Sequence, residues 1–309
     1  VEQKDDKLSI TFAIEEGPRF RVGTVDVQGD LIESKEQLID RLKIRKEEFL
    51  NRQVLRADNL MLTDLYAEKG YAFAEVRPKV DKAEDSKRVD IVLDIDQGPL
   101  VYFNRIEIQG NTRTRDNVIR RDLSIKEGGL FDSKAVREST EDLQRLDYFE
   151  EVTITPQPTL KEDQMDVQVD VKEKSTGQFS IGAGYSSADN LLFMAEVSEN
   201  NIFGTGNRLS LAADISSVTN RYNLGFTNPR IFDSNVLAGF DLYNWKKEYD
   251  DYTKESTGGG VRLGHYLIEK IRINYGYSYT DTTLSDVKEY ASVVIKESMD
   301  INVTSSLHL

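Results

Sequence analysis

The chain has 309 residues, 39% of them hydrophobic and 30% charged, with a net charge of -14 and no cysteine. Zero cysteine excludes disulfides, thiolate catalysis and Cys-type zinc sites, and the acidic balance argues against nucleic acid as a partner, because phosphate contacts need a basic footprint. No run of about 18 apolar residues is present, which excludes a transmembrane helix but not a membrane β-barrel, whose alternating strands barely register in hydropathy.

In chain order, Val1 to Asp6 has neither the basic region nor the apolar core of a signal peptide. Lys7 to Ile14 (KLSITFAI) already reads as a strand, with no partner strand before it. The expectation is a chain that starts inside a longer protein, with residues 1–17 closing a module that begins upstream.

An internal repeat follows. Val22 to Asp30 reads VGTVDVQGD and Phe103 to Asn111 reads FNRIEIQGN, each an alternating strand that breaks at glycine. Helical spacing comes next, over Lys35 to Arg45 (Leu38, Ile39, Leu42) and Arg115 to Ile125 (Val118, Ile119, Leu123). Second helices are expected over Arg52 to Lys69, burying Val54, Leu60, Leu62 and Leu65, and over Ser133 to Leu146, burying Val136, Leu143 and Leu146. GYAFAEV (Gly70 to Val76) and LDYFEEV (Leu146 to Val152) occupy matching places. VDIVLDI (Val89 to Ile95) and MDVQVDV (Met165 to Val171) close the two units. Each unit is therefore β-α-α-β-β. EEGPRF (Glu15 to Phe20) and DQGPLV (Asp96 to Val101) are Gly-Pro elbows between units: glycine permits positive φ and proline fixes the next φ. Complete modules are expected at 18–99 and 100–175.

After Ser175 the period becomes two. Phe179, Ile181, Ala183 and Tyr185 alternate with Ser180, Gly182 and Gly184, and Ile271, Ile273, Tyr275, Tyr277 and Tyr279 alternate with polar or small residues. About eight strands of roughly 9 to 14 residues fit over 176–309, near the length a tilted strand needs to cross a bilayer. Phe203, Phe232, Tyr243, Trp245, Tyr252 and Tyr266 are candidates for interfacial aromatic girdles. Short turns at Phe203 to Asn207 and Asn228 to Ser234 belong on one side, and longer polar loops near Lys246 to Lys254 and Leu284 to Glu297 on the other.

Two modules joined by Gly-Pro elbows and running into an alternating barrel resemble the BamA family of outer-membrane assembly factors, with POTRA modules before the barrel. VQGD and IQGN look like the first-strand signature of POTRA modules. GQFSIGAGYSS (Gly177 to Ser187), ENNIFGTGN (Glu199 to Asn207) and FTNPRIFDS (Phe226 to Ser234), in that order, are similar to the start of that family's barrel. The resemblance implies tandem α+β POTRA modules followed by the first half, about eight strands, of an antiparallel sixteen-stranded transmembrane barrel. It implies modules in the periplasm and a barrel in the cell outer membrane. The implied partners are unfolded outer-membrane protein clients, assembly-complex lipoproteins and outer-membrane lipid, with no nucleic acid.

The implied mechanism is strand addition at sheet edges. By the family's topology those edges are the middle strands, represented by Ala72, Phe73, Ala74, Glu75 and Val76 in one module and by Phe149, Glu150, Glu151, Val152 and Thr153 in the other. The blander use of such edges is packing against neighbouring modules or lipoproteins. The first barrel strand (Gln178, Phe179, Ser180, Ile181, Gly182, Ala183, Gly184, Tyr185) would be a weak gate, its glycines lowering strand stability; small residues also simply suit a curved wall. His265 and His308 lack ligand partners at metal spacing, and no nucleophile, base and orienting group stand together, so neither metal, cofactor nor enzymatic activity is expected. The alternatives are a TamA-type or two-partner-secretion translocation pore within the superfamily, and a soluble tandem-module scaffold outside it.

Overall fold

The computed structural model describes residues 19–308 apart from 84, 86, 188, 269, 270 and 301, together with 2–4 and 7–9. Strand β1 (Glu2–Lys4) pairs antiparallel with β2 (Lys7–Ser9), so the strand expected to start at Lys7 does have a partner before it. The rest of that strand and Gly17-Pro18 of the first elbow lie outside the described residues.

The first module runs β3 (Arg21–Gly29), α1 (Lys35–Arg41), α2 (Arg52–Ala67), β4 (Glu75–Ala83) and β5 (Arg88–Asp96). Its sheet has the order β3-β5-β4, with β3 parallel and β4 antiparallel to β5. α1 opens on a capping box between Ser34 and Gln37 and ends sooner than its periodicity suggested. A 3-10 turn at Ile44–Lys46 follows it, because the buried Asp58 carboxylate accepts the N–H groups of Lys43 (3.0 Å) and Ile44 (2.7 Å). α2 begins at the Asn51 cap and buries Leu55, Asp58, Leu62 and Tyr66. Leu60, expected inside, is exposed; it stands two positions from Leu62, on the opposite side of a 3.6-residue turn. Val27, Ile91, Leu93 and Ile95 meet Leu38, Leu42 and Leu62 in the core, each buried aliphatic side chain contributing about 2 kcal/mol.

The repeated glycine has a steric cause. Gly29 has φ +97°, and a β-carbon there would stand 2.1 Å from the Ile95 carbonyl oxygen; Gly110 has φ +86° and the same relation, 2.0 Å, to Val171.

The second module repeats the order: β6 (Tyr102–Gln109), α3 (Asp116–Arg120), α4 (Ser133–Arg145), β7 (Phe149–Pro158) and β8 (Gln164–Glu173), with sheet order β6-β8-β7. α3 is only five residues, shorter than the spacing predicted, although Val118, Ile119 and Leu123 are buried. At the elbow the Val101 N–H donates to the Gly70 carbonyl (2.9 Å) and Arg137 pairs with Glu68 (2.9 Å). The chain clusters into two compact units whose boundary crosses this module: residues 1–106, 125–137 and 156–167 form one, and 107–124, 138–155 and 168–309 the other.

Eight strands then form one antiparallel sheet in which each pairs with its sequence neighbour: β9 (Gly177–Ser186), β10 (Asn190–Ile202), β11 (Asn207–Ser216), β12 (Thr219–Asn228), β13 (Val236–Glu248), β14 (Thr253–Ile268), β15 (Ile271–Ser285) and β16 (Val303–His308). Their lengths run from 6 to 16 residues, a wider spread than expected. A short helix, α5 (Val293–Glu297), lies between the last two. Register separates the faces. One row across the sheet reads Phe179, Val197, Leu211, Leu224, Leu242, Gly259, Tyr279 and Ser305. The adjacent row, on the other face, reads Ser180, Glu196, Ala212, Asn223, Tyr243, Gly258, Thr280 and Thr304. Apolar side chains on one face and small or polar ones on the other is what a wall between lipid and water requires.

This register corrects two girdle assignments. Tyr243 and Trp245 fall on the polar face, one residue out of phase with Phe240 and Leu242. Tyr243 there hydrogen-bonds Thr280 across Gly258, and Trp245 lies beside the cations of Arg221 and Lys254. Phe203 and Phe232 are instead exposed in turns, and Tyr266 is exposed near the end of β14.

Candidate functional site: edge strands and the module–sheet junction

β4 and β7 each end their three-stranded sheet. Glu75 and Val76 open β4, but Ala72, Phe73 and Ala74 precede it, in a turn closed by the Ala74 N–H on the Tyr71 carbonyl (3.2 Å). That bond commits the Ala74 N–H to the turn, and β4 starts at the next residue. Phe149, Glu150, Glu151, Val152 and Thr153 all lie in β7. Phe149 and Val152 are both buried although three residues apart, so the alternation slips by one between them. Lys172 pairs with Glu150 at 2.8 Å; the hydrogen bond holds the glutamate below and the lysine above its ordinary pKa.

Gln178, Phe179, Ser180, Ile181, Gly182, Ala183, Gly184 and Tyr185 all lie in β9, which ends the eight-stranded sheet and pairs only with β10 among the described residues. Phe179, Ile181 and Tyr185 are well exposed on the apolar face. A β-carbon on Gly184 would meet nothing within 4 Å, so close packing does not demand that glycine.

Sequence reasoning missed a polar junction between the second module and the turns of the sheet. The Glu173 carboxylate, at the end of β8, accepts the N–H groups of Thr112 (3.1 Å), Arg113 (2.9 Å) and Thr114 (2.6 Å) and the Thr112 hydroxyl (2.8 Å). Burial alone would raise its pKa; these donors outweigh it and hold the group below its ordinary value. The turn so fixed meets the β10–β11 turn. The Arg115 N–H donates to the Gly204 carbonyl (3.0 Å), the Asn201 amide donates to the Thr114 hydroxyl (2.8 Å), and the Asn201 side-chain oxygen accepts the Gly206 N–H (2.7 Å).

The β12–β13 turn is held by two crossed ion pairs. Arg121 reaches Asp233 (2.9 Å) and Arg230 reaches Asp122. Asp122 is buried, which pushes its carboxyl up against the opposing pull of Arg230, while Arg121 holds Asp233 down. FTNPRIFDS was legible as a motif, but the partners of its Arg230 and Asp233 were not, since they lie more than a hundred residues away in sequence.

Residues 20–98 and 101–174 match the POTRA model, described as a surface antigen variable number repeat, and residues 201–307 match the Omp85 superfamily domain. Residues 201–307 belong to the Omp85 superfamily. Among curated Omp85 relatives the chain is similar to the outer membrane protein assembly factor BamA of Nitratidesulfovibrio vulgaris, 34% identical over 313 residues that cover 100% of this chain and 40% of that protein. It is also similar to BamA of Neisseria meningitidis serogroup B, 31% identical over 96% of this chain and 39% of that protein. The chain thus spans about two-fifths of the length of these relatives. The crystal structure of BamA from Haemophilus ducreyi lacking POTRA domains 1-3 shares the fold, with TM-score 0.77 at 24% identity over 94% of this chain and 58% of that one. In an Omp85 protein of this type the sheet belongs to the outer membrane and the POTRA modules to the periplasm.

Proposed function

We propose that this chain serves the assembly and insertion of β-barrel proteins into the outer membrane. Residues 18–99 and 100–175 are the modules next to the barrel, and 176–309 begin the barrel. The modules receive unfolded outer-membrane clients or assembly lipoproteins by strand addition at β4 and β7, and β9 acts as the gate. The observation that carries this reading is β9: it ends an eight-stranded sheet, has an apolar outer face, and carries glycines at 182 and 184 that weaken a strand. The curated relatives at 34% and 31% identity are named as assembly factors, which favours assembly over export.

The test is folding of a small unfolded barrel protein into vesicles containing the full-length protein, followed by gel mobility of heated and unheated samples. Faster folding than in empty vesicles is expected, with the gain lost when Gly182→Val and Gly184→Val together stiffen β9. Equal rates with and without the protein would overturn the reading.

A further inference from the structure

The outer strands β4 and β7 carry three of the chain's six prolines, Pro78, Pro156 and Pro158. The backbone shows which way each points. In β5, Ile95 directs its carbonyl to β3, where it accepts the Asp30 N–H (3.0 Å), and Lys87 just before the strand does the same for Arg21 (2.8 Å). Odd-numbered residues of β5 therefore spend their backbone groups on β3. Pro78 stands opposite Leu93, in unbroken register, so its nitrogen faces away from β5 and towards the free edge.

The second module obeys the same rule. The Val171 carbonyl is directed at Gly110 at the end of β6, and Val171 shares the buried face of its sheet with Val169, Val167 and Met165. Buried-face residues of β7 oppose this set, so Val152, Ile154 and Pro156 direct their backbone groups outward, and Pro158 follows in phase. All three prolines thus sit where an incoming strand would look for a donor. On β4 donors remain at Val76, Val80 and Lys82, broken at Pro78; on β7 they remain at Val152 and Ile154, between the slip after Phe149 and Pro156.

We propose that these prolines limit strand addition to two successive donor positions on either edge, so that an extended polypeptide is held briefly and released. This rests on the reading of β4 and β7 as client edges. A short ladder suits a relay: each rung contributes little on its own, and restoring a missing one strengthens binding about fivefold.

The cysteine-free chain makes the test direct. Lys79→Cys and Thr153→Cys, whose backbone groups face the central strands, report on the two edges in the full-length protein in detergent. The probe is a synthetic peptide of the β9 sequence GQFSIGAGYS with one added cysteine. Weak disulfide capture is expected at both sites, rising about fivefold at position 79 with Pro78→Ala and at position 153 with Pro156→Ala. Capture unchanged by either substitution, or variants that self-associate without gaining peptide, would overturn the limiting role while leaving strand addition intact. No capture at either site in any variant would overturn strand addition at these edges and the limit with it.

Discussion

The carbonyl oxygen of Arg113 occupies the space a β-carbon on Gly204 would need: the two would stand 1.9 Å apart. Gly204 also has φ +69°. Gly204→Ala therefore meets a backbone clash and a left-handed conformation together, costing about 2 to 4 kcal/mol. The expected outcome is faster amide exchange at Arg115, whose N–H bonds the Gly204 carbonyl, with the strands of the sheet unchanged. Wild-type protection at Arg115 would show that the turn does not hold the module.

Glu173 ties the junction to pH. Its folded pKa is lowered, so its contribution is present above the ordinary glutamate value of about 4.3 and is lost as pH falls through the folded one. Acidification is expected to release protection of the Thr112, Arg113 and Thr114 amides before the rest of the module. Glu173→Gln should abolish that pH dependence. Asp122 has the opposite sign: its pKa is raised, so its contribution is present at acid pH and is lost as pH rises through the folded value.

The crossed ion pairs should be coupled. Arg230→Ala leaves the buried Asp122 without its closest cation and is expected to cost about 2 kcal/mol, the partial exposure of Arg230 keeping it below a fully buried pair. A double-mutant cycle with Asp122→Ala, read by denaturant unfolding in detergent, should return a coupling of at least about 1 kcal/mol. Additive effects would mean that the pair is incidental.

Gly258 lies under Tyr243, and an added β-carbon would stand 2.6 Å from the tyrosine oxygen and 2.6 Å from the Tyr279 carbonyl. Gly258→Ala is expected to cost about 1 to 3 kcal/mol. Tyr243→Ala in the same chain should recover only part of it, because the Tyr279 carbonyl remains. The checking measurement is the temperature at which the folded band is lost on a semi-native gel.

Asp58→Ala removes the acceptor for two buried N–H groups and should cost about 2 to 3 kcal/mol in the first module, seen as lost amide protection at Lys43 and Ile44.

The repeat, the element order and the alternation of the sheet were legible because each is a local pattern: period 3.6, period 2, and a glycine forced by one carbonyl. Leu60 shows where that stops, since apolar character does not say which side of a helix meets the core. Tyr243 and Trp245 show the same for strands. Their phase is set by neighbours across the sheet, so aromatic character near a strand end did not decide the face. At the candidate edges, β7 was placed within a strand, whereas Ala72 to Ala74 fell short of one because a turn at Tyr71 intervenes. The junction was invisible because the partners of Arg121, Asp122 and Glu173 are fixed by tertiary contact alone.

The pairing of every strand of the large sheet with its sequence neighbour has a kinetic consequence. Each hairpin closes a short loop, whereas the junction joins residues as far apart as Asn117 and Asp233. Loop closure is slower the longer the loop. The sheet is therefore expected to zip one hairpin at a time, with the contacts of Arg121 and Asp233 closing after the hairpins they join.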